Sequence, residues 1–203
     1  MEILTSHVFI NYPFDKCYKP LLHALVFTII RCGFQPRCAA EIHDAAETRI
    51  QKISRIISGC RYGIHDISRT ELDDKTHLPR FNMPLELGLF LGSIYFGPAD
   101  GKKYCLILDK ERYRYQKFIS DISGQDIESH EDQPKSMVEV VREFLNSHFQ
   151  DRPLPAGQII FKEYDIFREN LPEICESENL GEPEDLSYLD FLYIASEWIS
   201  KSP

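Results

Sequence analysis

Strand-forming apolar runs alternate with runs of helical periodicity through the first half of the chain, and this alternation restricts the fold more than any other feature. "SHVFINY" (6–12) reads as a buried strand ended by Pro13. "DKCYKPLLHALVFTIIRC" follows with helical spacing, Asp15 as its N-cap and Gly33 as its stop. "GFQPRCA" predicts a short second strand, and "AAETRIQKISRIISGC" a helix with Ile50, Ile53, Ile56 and Ile57 on one face. "YGIHDIS" predicts a third strand with Asp66 at its carboxyl end, and "KKYCLIL" (102–108) a fourth, followed by Asp109. Such alternation with short connections requires parallel strands joined by right-handed crossovers. "VFI" and "CLIL" have the continuous apolar character of strands buried on both faces. The expected architecture is an α/β fold with a small doubly wound parallel sheet over residues 1–109. Beyond Asp109 the alternation ends. "ERYRYQKFISDIS", "PKSMVEVVREFLNSHF", "IIFKEYDIFRENLPEIC" and "DLSYLDFLYIASEWIS" all read as helices. They predict a helical extension over 110–203, packed on the core, with "QDRPLPAG" (150–157) as the candidate link.

Open parallel sheets bind ligands beyond the carboxyl ends of their strands. That edge collects "NYPFD" (11–15), the segment 38–47, Asp66 and the start of a helix in "RFNMPLELGLFLG" (80–92). Leu85, Leu87, Leu89, Phe90 and Leu91 circle this helix, which predicts burial on most sides. Gly88 and Gly92, four residues apart, predict a close approach to the sheet. Asn82 is the expected cap, with Pro84 in the first turn. Glu86 is then an acid in an apolar helix, and two readings of it are open. It is either a first-turn carboxylate that complements the helix dipole, or a semi-buried carboxylate facing a cleft. Asp66 is similarly either a strand-end loop cap or a partner of Glu86.

Glu41, His43, Asp44 and Glu47 in "EIHDAAE" are better explained by acid enrichment at a helix N-terminus than by a metal site, and no metal is expected. His23 lies in an apolar helix and reads as a packing residue. Neither G-x-G-x-x-G nor a Walker pattern occurs, which argues against standard dinucleotide redox binding and NTP hydrolysis.

The opening "HVFINYPFDKCYKPLLHAL…GF" is similar to the first strand and helix of Toll/interleukin-1 receptor (TIR) domains, with their "VFISY…D" start. It also resembles nucleoside 2-deoxyribosyltransferases, whose first strand ends in a "PF" turn. Asp66 followed by the "ELG" helix, Glu86-Leu87-Gly88, resembles the transferases more closely. The resemblance covers residues 6–109, and implies a flavodoxin-like fold with a helix glutamate acting at an N-glycosidic bond. On that basis Glu86 is the expected nucleophile or stabiliser of an oxocarbenium-like state, with Asp66 as a second catalytic group. Asn82 is expected at the sugar or base, Tyr12 and Phe14 in stacking, and Arg80 at a phosphate. The implied activity is cleavage or transfer on NAD or a related nucleotide, NAD being a substrate rather than a cofactor. The resemblance also implies a setting in prokaryotic antiviral defence. Two alternatives stand beside it: a non-catalytic module that binds a nucleotide signal or a protein, and a nucleoside 2-deoxyribosyltransferase.

Charge bears on partners. Net charge is -9, and residues 163–190 hold ten Asp or Glu against a single basic residue, Arg168. The rest of the chain is balanced, so nucleic acid, which needs clustered Lys and Arg, is not an expected partner. The acidic stretch reads as a solvated face. The six cysteines include no C-x-x-C pair and mostly lie in apolar runs, as reduced cytosolic cysteines do. No apolar run reaches membrane-spanning length and "MEILTSHVFINYPF" is not a signal peptide, so the expected location is the cytoplasm. Aromatics in "YRYQKF" and "YLDFLY" read as core or interface residues, the latter serving a homo-oligomer or partner protein through the helical half.

Overall fold

The computed structural model describes residues 4–42, 44–72, 77–98, 101–149 and 151–201. They form two compact units, one comprising Met1–Phe14 with Pro36–Asp132 and the other Asp15–Gln35 with Gln133–Pro203. The chain is α/β, with the flavodoxin-like topology expected of it and helices after the sheet.

The sheet consists of β1 (Leu4–Asn11), β2 (Gln35–Arg37), β3 (Cys60–Asp66), β4 (Tyr104–Asp109) and β5 (Ile127–Ser129), in the order β2-β1-β3-β4-β5. The strands run parallel, with Ile10 beside Ile64, Ile64 beside Leu106, and Asp109 beside Ser129. This order reverses the direction of strand addition at β1 and β3, whose carboxyl ends form the topological switch point where such sheets bind ligands. One sheet face is covered by α2 (Arg49–Gly59) and α3 (Asn82–Tyr95). Ile53, Ile56 and Ile57 of α2 meet Phe9, Cys60 and Phe90 in one apolar cluster, while Met83 and Leu87 of α3 meet Ile67, Ile107 and Tyr115 in another. Ile50, expected on the buried face of α2, is exposed.

Three expectations about this unit are corrected. The sheet does not end at Asp109, because β5 adds a fifth strand after it. The segment expected as its first helix instead forms two 3-10 turns, Arg114–Lys117 and Ser120–Ile122. The boundary placed at residues 109/110 therefore moves, and the sheet unit runs on to Asp132. Secondly, α3 is not buried on most sides. Met83, Glu86, Leu87 and Phe90 are buried, whereas Leu85 and Gly88 are exposed. Thirdly, Gly88 and Gly92 do not bring the helix to the sheet, since a Cβ on Gly88 would meet nothing within 4 Å. The close approach comes from the strand side. Phe90 lies over Gly63 of β3, where a Cβ would stand 2.6 Å from the ring.

The second unit contains α1 (Lys19–Arg31), α4 (Pro134–His148), α5 (Gly157–Ser177) and α6 (Tyr188–Lys201). Asp15 accepts from the Tyr18 N–H at 2.9 Å and so caps a 3-10 turn that leads into α1. Gly33, at φ +87°, ends α1, with the Phe34 N–H returning to Ile29 O, as in a left-handed helix stop. Phe27 of α1 packs its ring against Tyr164 and Phe167 of α5 and Trp198 of α6. His23 stacks on Phe191 of α6 at 3.8 Å between ring centroids, and burial pushes its pKa down to about 3, so it is a neutral packing group. Arg31 holds Glu163 through two hydrogen bonds, of 2.6 and 3.0 Å. Among the described residues, no helix is long and apolar enough to cross a membrane.

Candidate functional site

The sheet unit gathers its candidate groups at the switch point. Asn11 is the last residue of β1, opposite His65 of β3, and is 2% exposed. Its amide donates to Met83 O in the first turn of α3 (2.8 Å) and meets His65 Nδ1 at 3.2 Å. One side chain thereby fixes the start of α3 against the strand ends. Burial lowers the His65 pKa to about 3, which keeps the ring neutral. Asn11 Oδ1 is buried and has no hydrogen-bond partner among the described residues.

Glu86 lies one turn beyond Met83 and is 4% exposed. It is the fifth residue of α3, outside the first turn, so the capping explanation for its position fails. Its Oε1 accepts from Arg49 Nη2 at 3.1 Å. Burial raises the Glu86 pKa, while Arg49 opposes that shift. Arg49, the first residue of α2, has a side chain 52% exposed and carries its guanidinium 5.2 Å from the centroid of the Phe14 ring. Phe14 is half-exposed and packs its ring on Tyr12, centroid to centroid 4.8 Å. Tyr12 is buried, its hydroxyl 4.0 Å from Cys38 Sγ, and burial together with the nearby Cys38 and Glu86 holds that hydroxyl in its protonated form.

Of the sequence-predicted residues, the structure thus brings together Glu86, Tyr12 and Phe14. Asp66 is at the same sheet edge but serves a different network. It is fully buried, accepts from the Ser68 N–H at 2.8 Å, and lies 3.0 Å from His130 Nε2. The Asp132 N–H donates to His130 Nδ1 at 3.0 Å. Next to it, Asp109 accepts from Arg114 Nε (2.8 Å), and Arg114 also donates to Ile67 O and Ser68 O. These bonds clamp the loop after β3. Asn82 is exposed as the first residue of α3. The cap position belongs to Phe81, and no side chain fills the capping role expected of Asn82. Arg80 is exposed in the segment before α3.

Two of the three acids of the 41–47 segment are tied to arginines, and the third, Asp44, accepts from the Ala46 N–H at 2.9 Å. Glu41 is held by Arg37 and Glu47 by Arg55, while His43 lies outside the described residues. Among the described residues, no group of three or more His, Cys, Asp or Glu is placed to hold a metal ion.

The sequence reading missed Arg49, and it placed Asn11 and Cys38 at the ligand edge within 11–15 and 38–47 without singling either out. A signal for Arg49 is present: it lies within a capping box made by Thr48 and Gln51, and so opens a helix with a cation at the positive end of the dipole. A cation there calls for an anion nearby. Nothing local marks Asn11, whose partners are 54 and 72 residues away.

Comparison of the chain with protein-family models, with curated proteins and with solved structures returns no match. A functional assignment therefore rests on the chemistry of the residues themselves.

Proposed function

We propose that the chain is an N-glycosidic-bond enzyme that acts on NAD or a related nucleotide, with Glu86 as its catalytic carboxylate. The observation that carries this reading is a 4%-exposed carboxylate on the ligand-binding edge of a parallel sheet, with its acceptor oxygen on a half-exposed arginine beside exposed Phe14. Loss of the base leaves positive charge on C1′ and the ring oxygen, and a carboxylate in a poorly solvated site stabilises that charge or bonds to C1′. Phe14 offers a face for the base to stack on.

The position of Asp66 bears on the choice of substrate. An uncharged nucleoside needs an acid at its leaving base, and Asp66 is engaged with Ser68 and His130. A pyridinium base needs none. Its C1′–N bond breaks with both electrons going to the ring nitrogen, which leaves nicotinamide neutral. Water then adds to C1′ and gives up one proton. A single carboxylate suffices, which favours NAD over the deoxynucleosides of a 2-deoxyribosyltransferase. The resemblance to TIR domains points the same way and supplies the suggestion of antiviral defence. Free, mostly buried thiols suit the cytoplasm.

The engagement of Asp66 elsewhere also favours a second reading, a module that binds a nucleotide without cleaving it. Incubating the purified protein with NAD and, separately, with deoxynucleosides, and measuring released base, distinguishes the two. The expected result is nicotinamide release from NAD, lowered about 100-fold or more in Glu86→Gln, on the scale of losing one preorganised electrostatic group. Release that Glu86→Gln leaves unchanged overturns the role of Glu86. Nucleotide binding with no base release selects the binding module.

A further inference from the structure

Arg49 occupies a position that its own charge opposes. It is the first residue of α2, where the helix dipole is positive and anions rather than cations are stabilised. The helix does not need it as a cap, because Thr48 Oγ1 accepts from the Gln51 N–H and Gln51 Oε1 accepts from the Thr48 N–H. What holds it is the pair with Glu86, and that pair is asymmetric: the Glu86 side chain is 6% exposed and that of Arg49 is 52% exposed. The carboxylate is embedded in the unit, whereas the guanidinium lies over it from the solvent side, against Phe14. A guanidinium fork matches the oxygens of a phosphate in bidentate fashion, and the α2 N-terminus on which it is mounted favours the same anion.

We propose that Arg49 is the group through which this site recognises a phosphate or pyrophosphate of its ligand, and that on binding its guanidinium passes from Glu86 to that anion, uncovering the carboxylate. The identity of the ligand as a nucleotide rests on the function proposed above; the recognition of its anion by Arg49 does not. The exchange replaces one ion pair by another. Arg49 gains the ligand's phosphate, and Glu86 is left to face whatever positive charge the ligand brings or develops. Arg80, on the exposed approach to α3, is not needed for phosphate recognition.

The test is calorimetric titration of the full chain with ADP-ribose and with inorganic pyrophosphate, which separates phosphate recognition from recognition of the nucleoside. Arg49→Gln is expected to weaken both by about 10–100-fold, the value of charge-assisted hydrogen bonds to one arginine. Arg49→Lys, which keeps the charge but loses the fork, is expected to fall between Arg49→Gln and the unaltered protein. Glu86→Gln removes the competitor for the guanidinium, so both anions should bind up to about fivefold tighter, on the scale of one partly exposed ion pair. These opposite signs are the signature of exchange. If the intact pair only supports the fold, both glutamine variants weaken binding together, and that result overturns the proposal. Equal binding by Arg49→Gln and the unaltered protein also overturns it, as does failure of the unaltered protein to bind either anion. Thermal melts establish that each variant is folded, and the lysine variant carries the test if the glutamine one is not. Binding with the expected signs but no base release removes the cleavage reading and leaves this one standing; base release that is indifferent to Arg49 does the reverse.

Discussion

Glu86 has a consequence for stability that does not depend on what the site binds. Burial raises its pKa in the folded protein above its ordinary value near 4.5. The folded state therefore holds this proton more tightly than the unfolded chain does. Stability is greatest below the ordinary value and is lost as pH rises through the folded pKa, because in that window the native state is the one that binds more protons. Glu86→Gln removes this slope. The variant should melt at a higher temperature than the unaltered protein at pH 7, and the difference should shrink toward zero at pH 4. Melts across that range check it, and a variant that is less stable at pH 7 contradicts it. The same residue shows what could be read in advance. An acid inside an apolar helix is visible in the sequence, whereas its pairing with Arg49, 37 residues away in another element, is not.

At the scale of elements, the sequence exposed what is periodic and concealed what is short. Helix α2 repeats its apolar spacing often enough to be recognised, and the strands around "VFIN", "YGIHD" and "CLIL" stand out as apolar runs. Strand β5 has only Ile127, Glu128 and Ser129, and its place is fixed by pairing with β4, not by its own composition. The misplaced glycine contact has a similar cause. Two glycines four apart on a helix suggest a groove, but which face they occupy depends on packing that spacing does not encode. Gly63, isolated in a strand, is the residue on which Phe90 rests. Gly63→Ala forces the ring and α3 away from the sheet. It should cost about 1–3 kcal/mol, the usual penalty of overpacking, measured by urea denaturation. Because Phe90 and Glu86 are on the same helix, the Glu86–Arg49 pair should be disturbed as well. An unchanged denaturation midpoint would show that the ring has room to move.

For the molecule as a whole, the two units alternate along the chain. The sheet unit takes Met1–Phe14, the helical unit Asp15–Gln35, the sheet unit Pro36–Asp132, and the helical unit the remainder. A cut at any single position therefore leaves at least one unit incomplete. Residues 1–132 alone would retain α1, with Leu22, Leu25, Val26, Phe27 and Ile29 among its buried side chains, but lack α4, α5 and α6. The expected outcome is aggregation or a loss of solubility relative to the full chain, as large apolar patches produce. Comparison of the two in solution by size exclusion checks it, and a monomeric, cooperatively melting 1–132 fragment would refute it.

That alternation also sets a timetable for synthesis. Helix α1 ends at Arg31 and α4 starts at Pro134, so roughly a hundred residues, several seconds of translation at about 5–20 residues per second, separate the emergence of one from the other. Throughout that interval the nascent chain carries a finished apolar helix whose aromatic partners have yet to be made. Of the two units, the one that bears Glu86 can complete its sheet first, and the helical one must wait for α6.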